Sequence, residues 1–261
     1  MNIAIIGYGK MGKMIEQAAI EQGHTIAAVV DPILMDSADT VLHCDAPLCG
    51  DIADGGNLWD ADVAIEFTQP DTALANIRKL AEKNIPAVIG TTGWHDKLDE
   101  ARQAVEQSGS SLIWASNFSL GVNIFYRIAW HAAQLIDPFP EYDVGGFESH
   151  HNKKLDSPSG TARTLVQGVL DRVGRKEKPV WDTLERRPLP EELHYPSLRL
   201  GSVPGTHSLF LDSAADSIEI THTARSREGF VMGAIRAAQW LAAGRKGFFS
   251  IDDMLKDLLA T

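Results

Sequence analysis

The first thirty-one residues constrain this chain more than any other stretch. NIAIIGYGKMGKMIEQAAIEQ sets a short apolar run, a glycine turn and apolar residues at helical spacing one after another. Gly7, Gly9 and Gly12 spell G-x-G-x-x-G, and a second apolar run, TIAAVVD, ends at Asp31, nineteen residues after Gly12. Strand, glycine turn, helix and a second strand ending in an acid form a dinucleotide-binding fingerprint. The glycines let the backbone turn tightly and approach a pyrophosphate, the helix start receives its charge, and the acid accepts hydrogen bonds from a ribose. Gly7, Tyr8, Gly9, Lys10, Met11, Gly12 and Asp31 are therefore candidate cofactor contacts.

Asp31 also bears on which dinucleotide binds. A carboxylate favours a free 2′-hydroxyl and repels a 2′-phosphate, and the next residue is Pro32 rather than an arginine that could hold that phosphate. Lys10 is the nearby cation. The expectation is NADH preferred, with NADPH tolerated.

The first half continues as strands alternating with helices. VAIEFT (63–68) reads as a buried strand and Pro70 to Asn84 as a helix with proline in its first turn. PAVIGTTG is a strand running into a small polar turn, His95 to Gln107 is helical, and SLIWASNF is a further strand. Between Asp31 and Asp62 no helix–strand unit of normal length is legible. This alternation predicts an α/β fold with a Rossmann-type doubly wound parallel sheet, which binds ligands beyond the carboxyl ends of its strands. Gly90, Thr91 and Thr92, and Ala115, Ser116, Asn117 and Phe118, occupy such ends and join the cofactor set.

After Phe118 the pattern changes. SLGVNIFYRIAWHAAQLI is a long amphipathic helix, YDVGGFESH a strand, and DSPSGTARTLVQGVLDRVG a helix with Asp156, Ser157 or Ser159 as cap and Gly174 as stop. LRLGSVPGTHSLFLDSAADSIEITHTA holds three short strand-like runs, expected to form a separate antiparallel sheet. KEKPVWDTLERRPLPEELHYPS reads as a loop, and the last segments, GFVMGAIRAAQWLAAG and IDDMLKDLL, as helices returning to the first domain. Residues 1–118, completed by 228–261, form the expected dinucleotide-binding domain. Residues 119–227 form a second α+β domain, on a mostly antiparallel sheet, for substrate and oligomerisation.

Composition narrows the partners. A formal charge of −11 opposes nucleic acid and anionic membrane surfaces, so an anion site must be a local basic pocket. No apolar run approaches a membrane span, and no signal peptide is legible, so the cytoplasm is expected. Cys44 and Cys49 read as free thiols, and no metal site is expected.

ESHHNKKLDSPSGTA (148–162) supplies that local pocket. Histidine exchanges a proton near neutrality, lysine neutralises a carboxylate, and a helix starting at Gly160-Thr161 offers N–H groups to an oxyanion. Opposite a nicotinamide, such a group suits a small carboxylated substrate that takes a hydride on one atom and a proton on its neighbour. The remaining seven histidines, His131, His207 and His222 among them, read as surface or structural.

H-H-x-x-K-x-D-x-P-S-G-T-A, from His150 to Ala162, resembles the signature of the 4-hydroxy-tetrahydrodipicolinate reductase (dihydrodipicolinate reductase) family. The resemblance extends to G-x-G-x-M-G, FT at 67–68, GTTG at 90–93, SNFSLGVN and SR at 226–227. It implies NAD(P)H-dependent reduction of 4-hydroxy-tetrahydrodipicolinate to tetrahydrodipicolinate with loss of water, on the diaminopimelate route to lysine, in a homotetramer. It also implies His150 as proton donor, Lys154 as catalytic lysine, and His151, Lys154, Gly160 and Thr161 as ligands of the substrate carboxylates. Two rivals are a different two-domain amino- or imino-acid dehydrogenase, aspartate dehydrogenase-like, and a dinucleotide sensor without catalysis.

Overall fold

The computed structural model describes residues 1–35, 42–54 and 60–260. The chain divides into two compact units, Met1–Ser119 with Phe230–Thr261, and Leu120–Gly229.

In the first unit, β1 (Asn2–Ile6) leads through the glycine turn into α1 (Lys10–Glu21) and β2 (Thr25–Val30). A four-residue helix α2 (Pro32–Met35) and a two-residue strand β3 (Leu48–Cys49) follow. Positions 36–41 and 55–59, within the stretch where no full helix–strand unit was expected, lie outside the described residues. Then come β4 (Val63–Glu66), α3 (Pro70–Glu82), β5 (Ala87–Ile89), a single 3₁₀ turn (His95–Lys97), α4 (Leu98–Ser108) and β6 (Ser111–Trp114).

The sheet order is β13-β6-β5-β4-β1-β2-β3, every pair parallel, where β13 is Gly247–Ser250. The order reverses direction at the β1/β4 boundary, the switch point at which open parallel sheets leave a crevice for ligands. Strands covered on both faces must be apolar along their whole length. Ile3, Ala4, Ile5, Val63, Ala64, Ile65, Val88 and Ile89 are accordingly all buried. β13 is absent from the sequence expectation, because four residues directly before a helix carry no periodicity of their own.

The second unit opens with α5 (Leu120–Ile136), then β7 (Asp143–His150), α6 (Gly160–Leu170), β8 (Lys178–Val180), β9 (Glu192–His194), β10 (Ser197–Arg199), β11 (Thr206–Asp212) and β12 (Ser217–Thr223). Its sheet runs β10-β7-β11-β12. β7–β11 and β11–β12 are antiparallel, whereas β10 joins β7 in parallel, so the expected all-antiparallel grouping of the three runs is corrected at β10. The polar excursion read as a loop contains a two-stranded parallel pair, β8 and β9. It is tied together by the buried Lys176, whose Nζ donates to the Glu192 carbonyl.

Val122, Phe125, Ala129 and Ala133 of α5 and Leu165, Val166 and Val169 of α6 pack with Val144, Leu209 and Leu211 of the sheet in one core. α6 ends at Leu170 with Asp171 as its cap, a turn before the expected stop at Gly174. α7 (Glu228–Ala242) returns the chain to the first unit, where β13 and α8 (Ile251–Leu259) close the sheet edge. No helix among the described residues is long and apolar enough to cross a membrane.

Candidate active site

In the first unit the carboxyl ends of β1, β2, β4, β5 and β6 gather the sequence-selected residues along one edge of the sheet. Gly7 adopts φ +88°, and a Cβ there would stand 2.2 Å from the Phe67 carbonyl oxygen. A Cβ on Gly12 would stand 2.3 Å from the Gly7 carbonyl oxygen, so only glycine lets α1 start this close to the turn. α1 has no side-chain cap and no acid in its first turn, which leaves its N-terminal N–H groups to an outside anion. A pyrophosphate fits this start, with exposed Gly9 and Lys10 beside it.

Asp31 stands at the end of β2 with both oxygens oriented by backbone: Oδ2 accepts from Tyr8 N at 2.8 Å, and Oδ1 from Ile33 N at 2.9 Å. Tyr8 belongs to the expected cofactor contacts. Its amide goes to Asp31 and its buried phenol donates to Glu16, so both polar groups are engaged inside the unit. Burial, with the Glu16 carboxylate, raises that phenol's pKa above the ordinary tyrosine range. Glu16 also accepts from Cys44 Sγ at 3.0 Å, and burial together with this carboxylate pushes the thiol up to about 11. Both Cys44 and Cys49 are free thiols.

At the neighbouring ends, Thr68 N donates to Thr91 Oγ1 at 2.7 Å, joining the loops after β4 and β5. Glu66 lies fully buried beneath them, its Oε1 accepting from Thr68 Oγ1 and Asn76 Nδ2. Burial raises its pKa in spite of those hydrogen bonds. Thr92 and Ser116 are exposed at this edge, Gly90 and Asn117 half-buried, and Ala115 and Phe118 buried.

The second unit holds the other cluster. Residues two apart on a strand share a face, so Val144, Gly146, Glu148 and His150 of β7 all point toward α5 and α6. The register sets Ser197 of β10 and His207 of β11 on either side of Glu148. The apolar row of β7 therefore ends in a buried acid and a buried histidine. Glu148 is fully buried, and its Oε1 accepts from Ser159 N at 2.9 Å, Ser197 Oγ at 2.7 Å and Arg199 at 3.1 Å. Burial alone would raise its pKa, but these donors outweigh burial and hold it down at about 2.

The other oxygen, Oε2, lies 3.3 Å from His150 Nδ1 and 3.9 Å from His207 Nδ1. His150 and His207 meet edge to face, with centroids 5.3 Å apart. Burial pulls the His150 pKa below its ordinary value; Lys154 and Arg199 pull the same way, while Glu148 and Asp156 oppose them. His207 is driven down to about 3 by burial, so it is neutral at pH 7.

The loop after β7 carries Lys154, whose Nζ contacts Asp156 Oδ1 at 2.8 Å. Arg199 donates to the Asp156 carbonyl at 2.6 Å, fixing this loop to β10. Of the three cap candidates, Ser159 caps α6: its Oγ accepts from Ala162 N at 3.0 Å. Gly160, the first helical residue, is exposed, and Tyr126 Oη of α5 donates to the Thr161 carbonyl at 3.2 Å. His151 is half-buried, with its Nδ1 enclosed.

His150 thus ends β7, His151 and Lys154 lie on the loop that follows, and Gly160 and Thr161 open α6. Glu148, Arg199 and His207 were missed as site residues. Counting by two from Val144 would have placed Glu148 inside, but nothing near Arg199 or His207 in the sequence marks them, because strand pairing delivers them. His207, read as a surface or structural residue, is buried against His150.

A dinucleotide-type parallel sheet joined to a unit bearing a histidine–lysine–helix-start cluster defines a nicotinamide-dependent oxidoreductase. Two family profiles match the chain, "Dihydrodipicolinate reductase, N-terminus" over residues 1–118 and "Dihydrodipicolinate reductase, C-terminus" over residues 121–255. A 4-hydroxy-tetrahydrodipicolinate reductase of Christiangramia forsetii is 39% identical over 99% of both chains. One from Archaeoglobus fulgidus is 35% identical over 98% of this chain and 100% of its own. A solved dipicolinate-bound dihydrodipicolinate reductase from Paenisporosarcina sp. TG-14 shares the fold with a TM-score of 0.78 at 22% identity, covering 97% of this chain and 98% of its own. The chain belongs to the dihydrodipicolinate reductase family.

Proposed function

We propose that this chain reduces 4-hydroxy-tetrahydrodipicolinate to tetrahydrodipicolinate, with loss of water, and that His150 and Lys154 carry the chemistry. The observation that supports the reaction most is the match of both family profiles across nearly the whole chain. It disfavours the aspartate dehydrogenase-like and sensor readings. The product lies on the diaminopimelate route to lysine.

NAD(P)H supplies the hydride in this reaction, to C4 of the conjugated substrate. The glycine turn and the start of α1, with Gly7, Tyr8, Gly9, Lys10, Met11 and Gly12, would hold its pyrophosphate, and Asp31 its ribose. Gly90, Thr91, Thr92 and the 115–118 segment would line the path toward the nicotinamide. In the second unit Lys154 and the exposed start of α6 at Gly160-Thr161, with His151, neutralise and orient the two carboxylates. His150 gives its proton to the carbon adjacent to C4. A dianionic substrate beside the imidazole opposes the pull that burial exerts on His150, so binding itself favours the protonated donor.

Asp31, fixed by Tyr8 and Ile33 and followed by Pro32, supports a preference for NADH. A cytoplasmic homotetramer is part of this reading, resting on the family resemblance. The deciding experiment follows NADH and NADPH absorbance with freshly generated substrate. Consumption of cofactor with kcat/KM higher for NADH is expected. Cofactor binding without consumption would reject the enzyme reading, and a strong NADPH preference would reject the role given to Asp31.

A further inference from the structure

We propose that Glu148 is the positioning residue of the site: its Oε2 receives the N–H of His150 Nδ1, fixing the tautomer that leaves Nε2 to face the substrate. The inference rests on the reading of His150 as proton donor and extends it to a residue that touches neither substrate nor cofactor.

Three features of the geometry carry it. The carboxylate cannot turn, because Ser159 N at the start of α6 and Ser197 Oγ and Arg199 of β10 all donate to Oε1. Oε2 is consequently aimed in one direction. Among the described residues Glu148 Oε2, His150 Nδ1 and His207 Nδ1 are each buried without a hydrogen-bond partner, and Oε2 lies 3.3 Å from the first nitrogen and 3.9 Å from the second. A carboxylate oxygen only accepts, so an imidazole nitrogen facing it at 3.3 Å is attracted with a proton on it and repelled with a lone pair. His150 is nearer than His207, and the contact has room to tighten when substrate closes the site.

The ring is confined on its other sides as well. His207 meets it edge-on at 5.3 Å. Gly205, at φ +149°, leaves the space in which a Cβ would come within 2.9 Å of His150 Nε2. The charged and titratable groups facing His150 are Glu148 on β7, Lys154 and Asp156 on the following loop, Arg199 on β10 and His207 on β11, with His222 of β12 beyond His207. Of these, Glu148 and Asp156 favour the imidazolium. Glu148 is the buried one and cannot be screened by water.

The wild-type enzyme, labelled with ¹⁵N-histidine, tests the tautomer directly by long-range ¹H–¹⁵N correlation, the His150 signal being the one lost in His150→Gln. Protonated Nδ1 with bare Nε2 is expected in the neutral ring; the reverse pattern overturns the proposal, whether or not any variant folds. Glu148→Gln then tests the consequence. It keeps the shape but removes the charge, and its amide presents a donor to Nδ1. A fall in kcat of about 10²-fold is expected. The basic limb of kcat/KM should move to lower pH, because the charge that favoured the imidazolium is gone, while the KM for NADH should stay unchanged. A uniform loss with the limb unmoved would make Glu148 merely structural. If His150→Gln itself turns over normally, the donor reading fails; if that variant is crippled and only the Glu148→Gln limb stays in place, the positioning proposal alone fails.

Discussion

His150 ends β7 and Lys154 lies four residues on in the following loop, and they respond to different partners, so their replacement separates two jobs. His150→Gln is expected to lower kcat by about 10²-fold or more, with little change in KM, since a donor acts in the transition state. Lys154→Ala is expected to raise KM and lower kcat together, since its charge both binds and orients a carboxylate. Steady-state kinetics of the two variants checks this, and near-wild-type turnover in both would remove the proposed site. These two residues were legible in the sequence because their segment is short and their chemistry is local. Glu148 lies in the same segment with no local pattern to assign it a role, and Arg199 and His207 carry no sequence mark as its partners. Their function depends on register between strands, which no local pattern encodes.

Stability should carry the signature of the same cluster. His207 has a folded value of about 3 against an ordinary 6.5, so the unfolded chain takes up a proton that the folded one refuses. Stability is then lost as pH falls from 6.5 toward 3, by up to about 1.4 kcal/mol per pH unit for one such proton. Glu148, held near 2 against 4.5, contributes stability that is intact above 4.5 and lost as pH falls toward 2. Urea midpoints across this range should fall steadily on acidification, and His207→Asn should flatten the upper part of the curve. An unchanged slope in that variant would contradict the assignment to His207.

Among the elements, the two helix starts matter most, and they were built in opposite ways. α6 is capped by Ser159, so Ser159→Ala should destabilise the protein by about 1 kcal/mol in thermal or urea unfolding. It should also raise KM for the dicarboxylate, because the first turn of α6 loses its anchor. α1 has no side-chain cap and depends on Gly12 for its approach to the turn. Gly12→Ala should cost about 1–3 kcal/mol through overpacking and weaken NADH binding in a fluorescence titration. Wild-type affinity in that variant would argue against a pyrophosphate on this helix. The G-x-G-x-x-G reading anticipated the close approach because backbone contact within five residues is a local matter. The end of α6 was misjudged for the converse reason. Gly174 is an adequate stop, but Gly174 N instead donates to Asp137 at 2.9 Å, a tertiary contact, and the helix has already ended at Leu170.

At the scale of the whole molecule, chain order and spatial order part company. The edge strand β13 pairs with β6 far back in the chain, Gly247 against Ser111 and Ser250 against Trp114, and α8 buries Ile251, Met254 and Leu255 beside it. Deleting residues 247–261 should expose both the β6 edge and that apolar surface. Aggregation by light scattering and a lowered melting temperature are the expected outcome. A monodisperse protein melting like wild type would show the edge to be dispensable. The sequence by itself determined the alternation of strands and helices, the glycine turn and the loop of proton- and anion-handling residues, because periodicity, steric freedom and residue chemistry act over a few neighbours. The tertiary structure alone decided that Glu148 lies between Ser197 and His207, that Arg199 binds both Glu148 and the Lys154 loop, and that β10 enters parallel. Those facts follow from strand pairing and burial, which are properties of the folded sheet rather than of any short segment.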